Sequence, residues 1–234
     1  MFLVSVLTQL WDENCYILAA DAPGDAVIVD PGLRAAEPVG RIAAEHGLRP
    51  VAVLATHGHL DHVADAALLA DRYGVPCHIH PADRPLLSDP AAGLGPLGAA
   101  VTAELLGAAG LAEPAAVAEV AGGDELELAG LSWTVFHAPG HRPGCVIYRV
   151  ATPKGLIAFT GDVLFAGSVG RTDLPGGSPK DLVCSLRDVV LGSGPDGPNL
   201  PDATALLPGH GPATTMAAER KSNPYLQPRF LEAV

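Results

Sequence analysis

Thr56-His57-Gly58-His59-Leu60-Asp61-His62 is the stretch that decides how this chain folds. Three imidazoles and one carboxylate fall between positions 57 and 62. A short apolar strand, Val51–Thr56, leads into it. A predicted helix, Asp61–Tyr73, follows, and Gly74 and Pro76 stop it. Burying so many polar rings without partners is expensive, and a divalent metal offsets that cost. His57 and His59 stand two apart in an extended turn, so both rings can face one ion. Asp61 and His62 open the helix and point to a neighbouring position. The spacing on a strand–turn–helix unit predicts two adjacent metal sites.

Working outward, polar residues recur where other predicted strands end. Pro139-Gly140-His141 follows Leu131–His137, and Thr160-Gly161-Asp162 ends Leu156–Thr160. Pro208-Gly209-His210-Gly211 follows Ala203–Leu207. Glycine beside each candidate lets the backbone turn sharply and approach closely. Loops at strand ends on a rigid sheet are where functional groups collect. Together these positions supply seven ligand candidates, enough for two ions: His57, His59, Asp61, His62, His141, Asp162 and His210.

The rest of the chain supplies the scaffold. Phe2–Thr8, Cys15–Ala20 and Ala26–Asp30 read as an antiparallel meander that Pro31-Gly32 breaks. Ala35–His46 has helical spacing and stops at Gly47. Glu125–Leu128, Leu131–His137, Gly144–Val150 and Leu156–Thr160 read as strands. Pro179–Val190 is a predicted helix, Ala203–Leu207 a last strand and Thr214–Arg220 a last helix. Residues 83–123, rich in Ala, Gly, Leu and Pro, are expected to form one or two short helices and to carry little chemistry. Both halves run strand-then-helix, which suits two sheets packed face to face with helices outside.

The ordered set His57-x-His59-x-Asp61-His62, His141, Asp162, His210 resembles the metallo-β-lactamase superfamily, over nearly the whole chain. The resemblance implies one domain over residues 1–234. Its fold class is α+β, a four-layer αββα sandwich with the metals at one edge. It implies two divalent ions. His57, His59 and His141 would take one and Asp61, His62 and His210 the other, with Asp162 and a water or hydroxide between them. Zinc is the expected metal, and iron and manganese also suit imidazole and carboxylate.

Two further segments narrow the resemblance. Gly167-Ser-Val-Gly-Arg171-Thr-Asp173-Leu-Pro-Gly-Gly-Ser178 and Glu219-Arg-Lys-Ser-Asn223-Pro224-Tyr225-Leu226 are similar to the short glyoxalase II-like (hydroxyacylglutathione hydrolase-like) branch. That branch implies hydrolysis of a small-molecule thioester by metal-held hydroxide, with Asp61 orienting the nucleophile or holding its proton. Arg142 and Arg171 are the candidate substrate contacts. Arg142 either sets a cation beside the metals or reaches to solvent. Arg171 either pairs with Asp173 or orients substrate. Two departures concern glutathione. The chain ends before the helical region that carries glutathione-binding residues in full-length glyoxalase II. The family's basic and tyrosine positions after the bridging Asp are replaced by Arg171–Asp173. The alternative within the resemblance is a persulfide dioxygenase-like enzyme, using one iron at His57, His141 and Asp162.

Composition excludes other classes. With 14 basic against 26 acidic residues the formal charge is −12, and no basic footprint for a nucleic acid is visible. No apolar run reaches the ~18 residues a membrane helix needs. The four cysteines are scattered without a CxxC, which reads as reduced thiols. The N-terminus lacks a basic region and a small-residue cleavage site, so the expected location is the cytoplasm. The remaining histidines read as structural: His46 at a helix end, His78 and His80 in hydrogen bonds, His137 in or near the core.

Overall fold

A computed structural model describes residues 1–107, 110–195 and 197–232. Residues 108–109, inside the Ala/Gly-rich segment, and 233–234, at the end of the expected domain, lie outside the described residues. The first sheet has the order β1 (Phe2–Leu7), β2 (Asn14–Ala19), β3 (Gly24–Val29), β4 (Leu48–Leu54), β5 (Cys77–Ile79), β6 (Val117–Glu119). β1 to β3 form the expected antiparallel meander, and β3 to β6 run parallel. The second sheet is built from β7 (Glu125–Leu128), β8 (Leu131–His137), β9 (Val146–Thr152), β10 (Gly155–Gly161), β13 (Ala205–Pro208) and β14 (Thr214–Thr215). Its order is β14-β13-β10-β9-β8-β7. β11 (Ser193–Gly194) and β12 (Gly197–Pro198) pair apart from both.

Alternation along the strands produces the layers. On β2, Cys15, Ile17 and Ala19 face α1 (Ala36–His46) and α3 (Ala66–Tyr73), and pack with Val39, Ala43, Leu69 and Ala70. Tyr16 and Leu18 face inward instead. There they meet Trp133, Val135, Tyr148, Val150 and Phe159 of the second sheet. The outer face of that sheet, with Ile147, Ala158 and Leu206, is covered by Leu182 and Leu186 around α5 (Pro179–Ser185) and by Met216 of α6 (Met216–Ser222). The sequence of layers is therefore helix, sheet, sheet, helix, as expected. Three buried aromatics anchor the interior: Trp133 and Phe159 stack at 5.7 Å between ring centroids, and Tyr16 meets Phe159 edge-on at 5.3 Å.

Several boundaries differ from expectation, each for a local reason. β4 begins at Leu48 and carries Pro50, which has no N–H to give, and the pairing with β3 slips between Ala26 and Val27. The helix expected over Asp61–Tyr73 is two helices, α2 (Leu60–Val63) and α3. They part at Asp65, whose N–H donates to Pro31 O at 2.9 Å rather than back along the helix. The helix expected over Pro179–Val190 is α5 followed by a π-helical turn, Leu186–Val190. Thr214 and Thr215 pair as β14 before α6 begins. The described residues of 83–123 include three short 3₁₀ turns, α4 (Gly98–Leu106) and the unexpected edge strand β6. A last short helix, α7, spans Pro228–Leu231.

This topology puts the C-terminal ends of β3, β4, β8, β10 and β13 at one edge of the sandwich. The two sheets are tied there. Val146 N–H donates to Thr56 O at 2.8 Å, Asn14 N–H to Gly209 O at 2.7 Å, and Glu13 bridges His210. Among the described residues no helix is long and apolar enough to cross a membrane. The four cysteines are free, and burial raises the pKa of Cys15, Cys77 and Cys145, that of Cys77 to about 12.

Candidate metal centre

All seven ligand candidates meet at that edge. His57 and His59 come from the turn after β4, and Asp61 and His62 from α2. His141 follows β8, Asp162 follows β10 and His210 follows β13. His59 Nδ1 lies 3.2 Å from His57 Nε2 and 2.8 Å from His141 Nε2. Asp61 Oδ2 lies 3.1 Å from His210 Nε2 and 3.6 Å from His62 Nε2. Asp162 stands between the two groups. Its Oδ2 is 3.5 Å from His141 Nε2, and its Oδ1 is 3.3 Å from His62 Nε2.

Four of the rings are set by a bond from the nitrogen turned away from the centre. His62 Nδ1 donates to Asp30 Oδ2 at 3.0 Å, His141 Nδ1 to Arg171 O at 2.7 Å and His210 Nδ1 to Trp11 O at 3.1 Å. His57 Nδ1 lies 3.2 Å from Thr56 Oγ1, which itself donates to Asp30 Oδ2 at 2.7 Å. Each arrangement turns Nε2 inward, the usual orientation of metal-binding histidine. His59 alone presents Nδ1.

The donor set passes a fit test for metal. His62 Nε2 and Asp162 Oδ1 are buried with no hydrogen-bond partner, a cost that a cation would remove. Burial lowers the pKa of His57 and His141 and pushes that of His59 to about 3, so these rings are neutral donors. Burial also opposes charge on His62, but the Asp162, Asp61 and Asp30 carboxylates outweigh it and raise its pKa. Burial disfavours the Asp162 carboxylate, yet neighbouring His62 holds its pKa below the usual range. Two of the convergent sets, His57/His59/His141 and Asp61/His62/His210, each bring their donor atoms within 4.8 Å of one another. Gly209 makes room for this closeness, because a Cβ there would stand 2.5 Å from both Asp162 Oδ1 and His62 Cε1.

Three supporting carboxylates were invisible in the sequence pattern. Asp30, at the end of β3, accepts from Thr56 N–H at 2.7 Å as well as from Thr56 Oγ1 and His62. The Asp30-Pro31-Gly32 break was its only local signal. Glu13 is buried behind His62, with Oε1 4.0 Å from His62 Nδ1 and Oε2 accepting from Thr8 Oγ1 at 3.0 Å. Burial raises its pKa well above the carboxylate range. Asp83 comes from the segment expected to carry little chemistry. It is wholly buried and accepts from Gly58 N–H at 2.9 Å and Gly144 N–H at 3.0 Å, bracing the loops of His57/His59 and His141.

Both arginine guanidinium groups are engaged by carboxylates outside the donor set. Arg142 is buried and turned to Asp83 at 3.3 Å and to Pro175 O, so it neither caps the site nor reaches solvent. The exposed Arg171 guanidinium makes a bidentate pair with Asp173, both bonds 2.6 Å, while its carbonyl orients His141. The two segments that narrowed the resemblance prove to touch. Glu219 accepts from Gly167 N–H at 2.8 Å, and Asn223 Nδ2 donates to Ser168 O at 3.1 Å, pinning the loop that carries Arg171. The remaining histidines stand apart: His46 lies against Phe2, and His80 stacks on His137, whose Nε2 donates to Pro143 O. His78 is buried on β5 and, contrary to expectation, neither ring nitrogen has a hydrogen-bond partner.

A cavity of about 420 Å³ opens onto the centre. Its floor includes His59, Asp61, His141, Asp162 and His210, and its walls are Trp11, Leu94, Leu97, Val101, Leu174 and Arg171.

A family model, the metallo-beta-lactamase superfamily, matches residues 9–210. The chain therefore belongs to the metallo-β-lactamase superfamily. It is 46% identical over 218 residues to an uncharacterised protein of Mycobacterium tuberculosis, covering 92% of each chain. It is 33% identical to the hydroxyacylglutathione hydrolase GloC of Haemophilus influenzae, covering 92% of this chain and 93% of that one. Among solved structures, a B3 metallo-beta-lactamase, BLEG-1, has a TM-score of 0.80 at 32% identity, over 97% of this chain and all (100%) of that one. TTHA1623 in a di-iron-bound form has a TM-score of 0.74 at 36% identity, with coverage of 97% and 100%.

Proposed function

We propose that this chain is a dinuclear metallo-hydrolase whose substrate is a small thioester. One observation carries the dinuclear part. The Asp162 carboxylate stands between the two donor sets, with Oδ2 3.5 Å from His141 Nε2 of one and 3.7 Å from His210 Nε2 of the other, and Oδ1 3.3 Å from His62 Nε2. On this reading His57, His59 and His141 hold one ion, Asp61, His62 and His210 hold the other, and Asp162 spans them. Zinc, iron and manganese all fit these nitrogen and oxygen donors, and the di-iron form of TTHA1623 keeps iron in view. When bound, two such ions supply water with its pKa lowered toward ~7 and polarise a carbonyl oxygen.

The residues of the chain do the positioning. Asp61, beside His210 and His62, is placed to orient the attacking water and to accept its proton. The Arg171 carbonyl keeps the His141 ring aimed inward, and the Trp11 carbonyl does the same for His210. The choice of thioester follows from the leaving group. A thiol of pKa ~8.5 departs as thiolate unaided, whereas an amine must be protonated as it leaves. Among the described residues lining the cavity, the titratable side chains are the proposed ligands and Arg171, and Arg171 is engaged by Asp173. None is a free acid for a departing nitrogen. Similarity to the Haemophilus hydrolase supports the same choice.

The test is a substrate panel on metal-loaded protein, with thiol release followed for acyl thioesters and ring opening for β-lactams. Thioesters are expected to lead in kcat/KM by about 10²-fold or more, the usual worth of a positioned general acid. Comparable values for the two classes would sink the proposal. Oxygen uptake with a persulfide exceeding both would replace it with the mononuclear iron alternative.

A further inference from the structure

We infer that the walls of the cavity form an apolar subsite for the acyl group, so that the preferred substrates are thioesters of hydrocarbon acids rather than of hydroxy acids. This rests on the thioester reading and names its substrate class.

Trp11 is the first observation. Trp11 is 56% exposed and Leu97 71% exposed, and they line the same cavity as Leu94, Val101 and Leu174, a contiguous apolar patch of the kind that marks a binding groove. Trp11 and Asp12 also hold consecutive left-handed conformations, φ 57° and 53°. That backbone is strained for non-glycine residues and gathers at ligand clamps. The turn is held by the Glu13–His210 bridge, and the Trp11 carbonyl accepts from His210 Nδ1. The Trp11 backbone is thus fixed at the rim of the centre by the same turn that orients a proposed ligand.

The wall around α4 is the second. α4 and the turn before it bring Leu94, Leu97 and Val101 to the cavity. α4 contains one charged residue, Glu104, among Ala, Val and Leu, but buries only Gly98. Leu105 and Leu106 of α4 pack on the buried cluster of Leu10, Leu60 and Ala64, which leaves Val101, with the preceding Leu94 and Leu97, to line the cavity. The wall is firm, since Leu94 packs on the buried cluster of Leu10, Leu60 and Ala64.

Charge assigns the acyl end of the substrate to these walls. The one cation among the described lining residues, Arg171, is already paired with Asp173. A charged carrier therefore gains nothing by lying along the walls and is left at the open side. A hydrocarbon chain gains burial against Trp11 and the leucines.

The test uses carboxylates, the products of acyl transfer to water, so that it does not depend on turnover. Metal-loaded protein is titrated with straight-chain carboxylates from butanoate to decanoate, and tryptophan emission is recorded. Trp133 is fully buried, so a change reports Trp11. Each added methylene is expected to tighten Kd about fourfold, the fold-change equivalent to about 0.8 kcal/mol, with a blue shift in emission. By calorimetry, Leu97→Gln and Trp11→Asn should flatten that dependence. Asn tolerates left-handed backbone, so the second variant keeps the turn. Absence of binding, a Kd independent of chain length, or no response to either substitution would overturn the subsite. Chain-dependent binding without thioester hydrolysis would uphold the subsite and reject the thioester reading. Hydrolysis indifferent to chain length, with no chain-dependent binding, would do the reverse.

Discussion

Asp162→Ala is expected to lower kcat/KM for a thioester by about 10³-fold or more, since metal-based charge stabilisation is worth several kcal/mol and ~1.4 kcal/mol is tenfold in rate. Asp162 stands between the donor sets, 3.3 Å from His62 Nε2 and 3.5 Å from His141 Nε2. Removing it separates the two halves of the centre. It also strips a carboxylate from beside His62, whose raised pKa depends on that charge once burial is overcome. His210→Ala is the comparison. His210 touches only the Asp61 side closely, at 3.1 Å, and is the most exposed of the seven. Its loss should cost measurably less than that of Asp162. Steady-state kinetics at matched metal content checks the order. Wild-type activity in Asp162→Ala would remove Asp162 from the site, and a larger loss in His210→Ala would remove its bridging role.

Asp83→Ala should destabilise the fold by about 3–5 kcal/mol, the cost of leaving one partner of a buried ion pair alone. Arg142 would keep its charge in the interior without a carboxylate. The N–H groups of Gly58 and Gly144 would lose their acceptor as well. In a chain of this size that corresponds to a Tm lower by roughly 6–20 °C. Because both loops carry proposed ligands, metal affinity should fall with it. Combining Asp83→Ala with Arg142→Met removes the stranded charge, and should recover part of the lost stability. Thermal unfolding of the four proteins measures this. A Tm for Asp83→Ala within a degree or two of wild type would show that the buried pair does not brace the loops.

Asp83 also marks where the sequence stopped being legible. The convergence of the seven candidates could be read because their chemistry is concentrated: two His and an Asp-His pair in six residues, then single candidates beside glycine at strand ends. The layers could be read because both halves run strand-then-helix and the ordered candidate set resembles a family with that sandwich. What was hidden depends on contacts between distant segments. Asp83 and Gly144 are far apart in sequence, and nothing near Asp83 marks it as an internal acceptor. Arg142, next to His141, looked like a cation for the substrate, yet the fold turns it to that same hidden carboxylate. Glu13 gave no signal before its side chain was placed behind His62. The break between α2 and α3 was equally hidden, since it depends on Asp65 meeting Pro31. Local pattern reveals which residues can bind metal, whereas the residues that orient them are chosen by tertiary pairing.

Two ions sharing Asp162 would be visible directly by anomalous scattering from crystals of metal-saturated protein. The expected result is two peaks roughly 3.5–4 Å apart, one among His57, His59 and His141, the other among Asp61, His62 and His210, with the Asp162 carboxylate touching both. A single peak under saturating metal, with Asp61 and His210 turned away from it, would rule out the shared carboxylate.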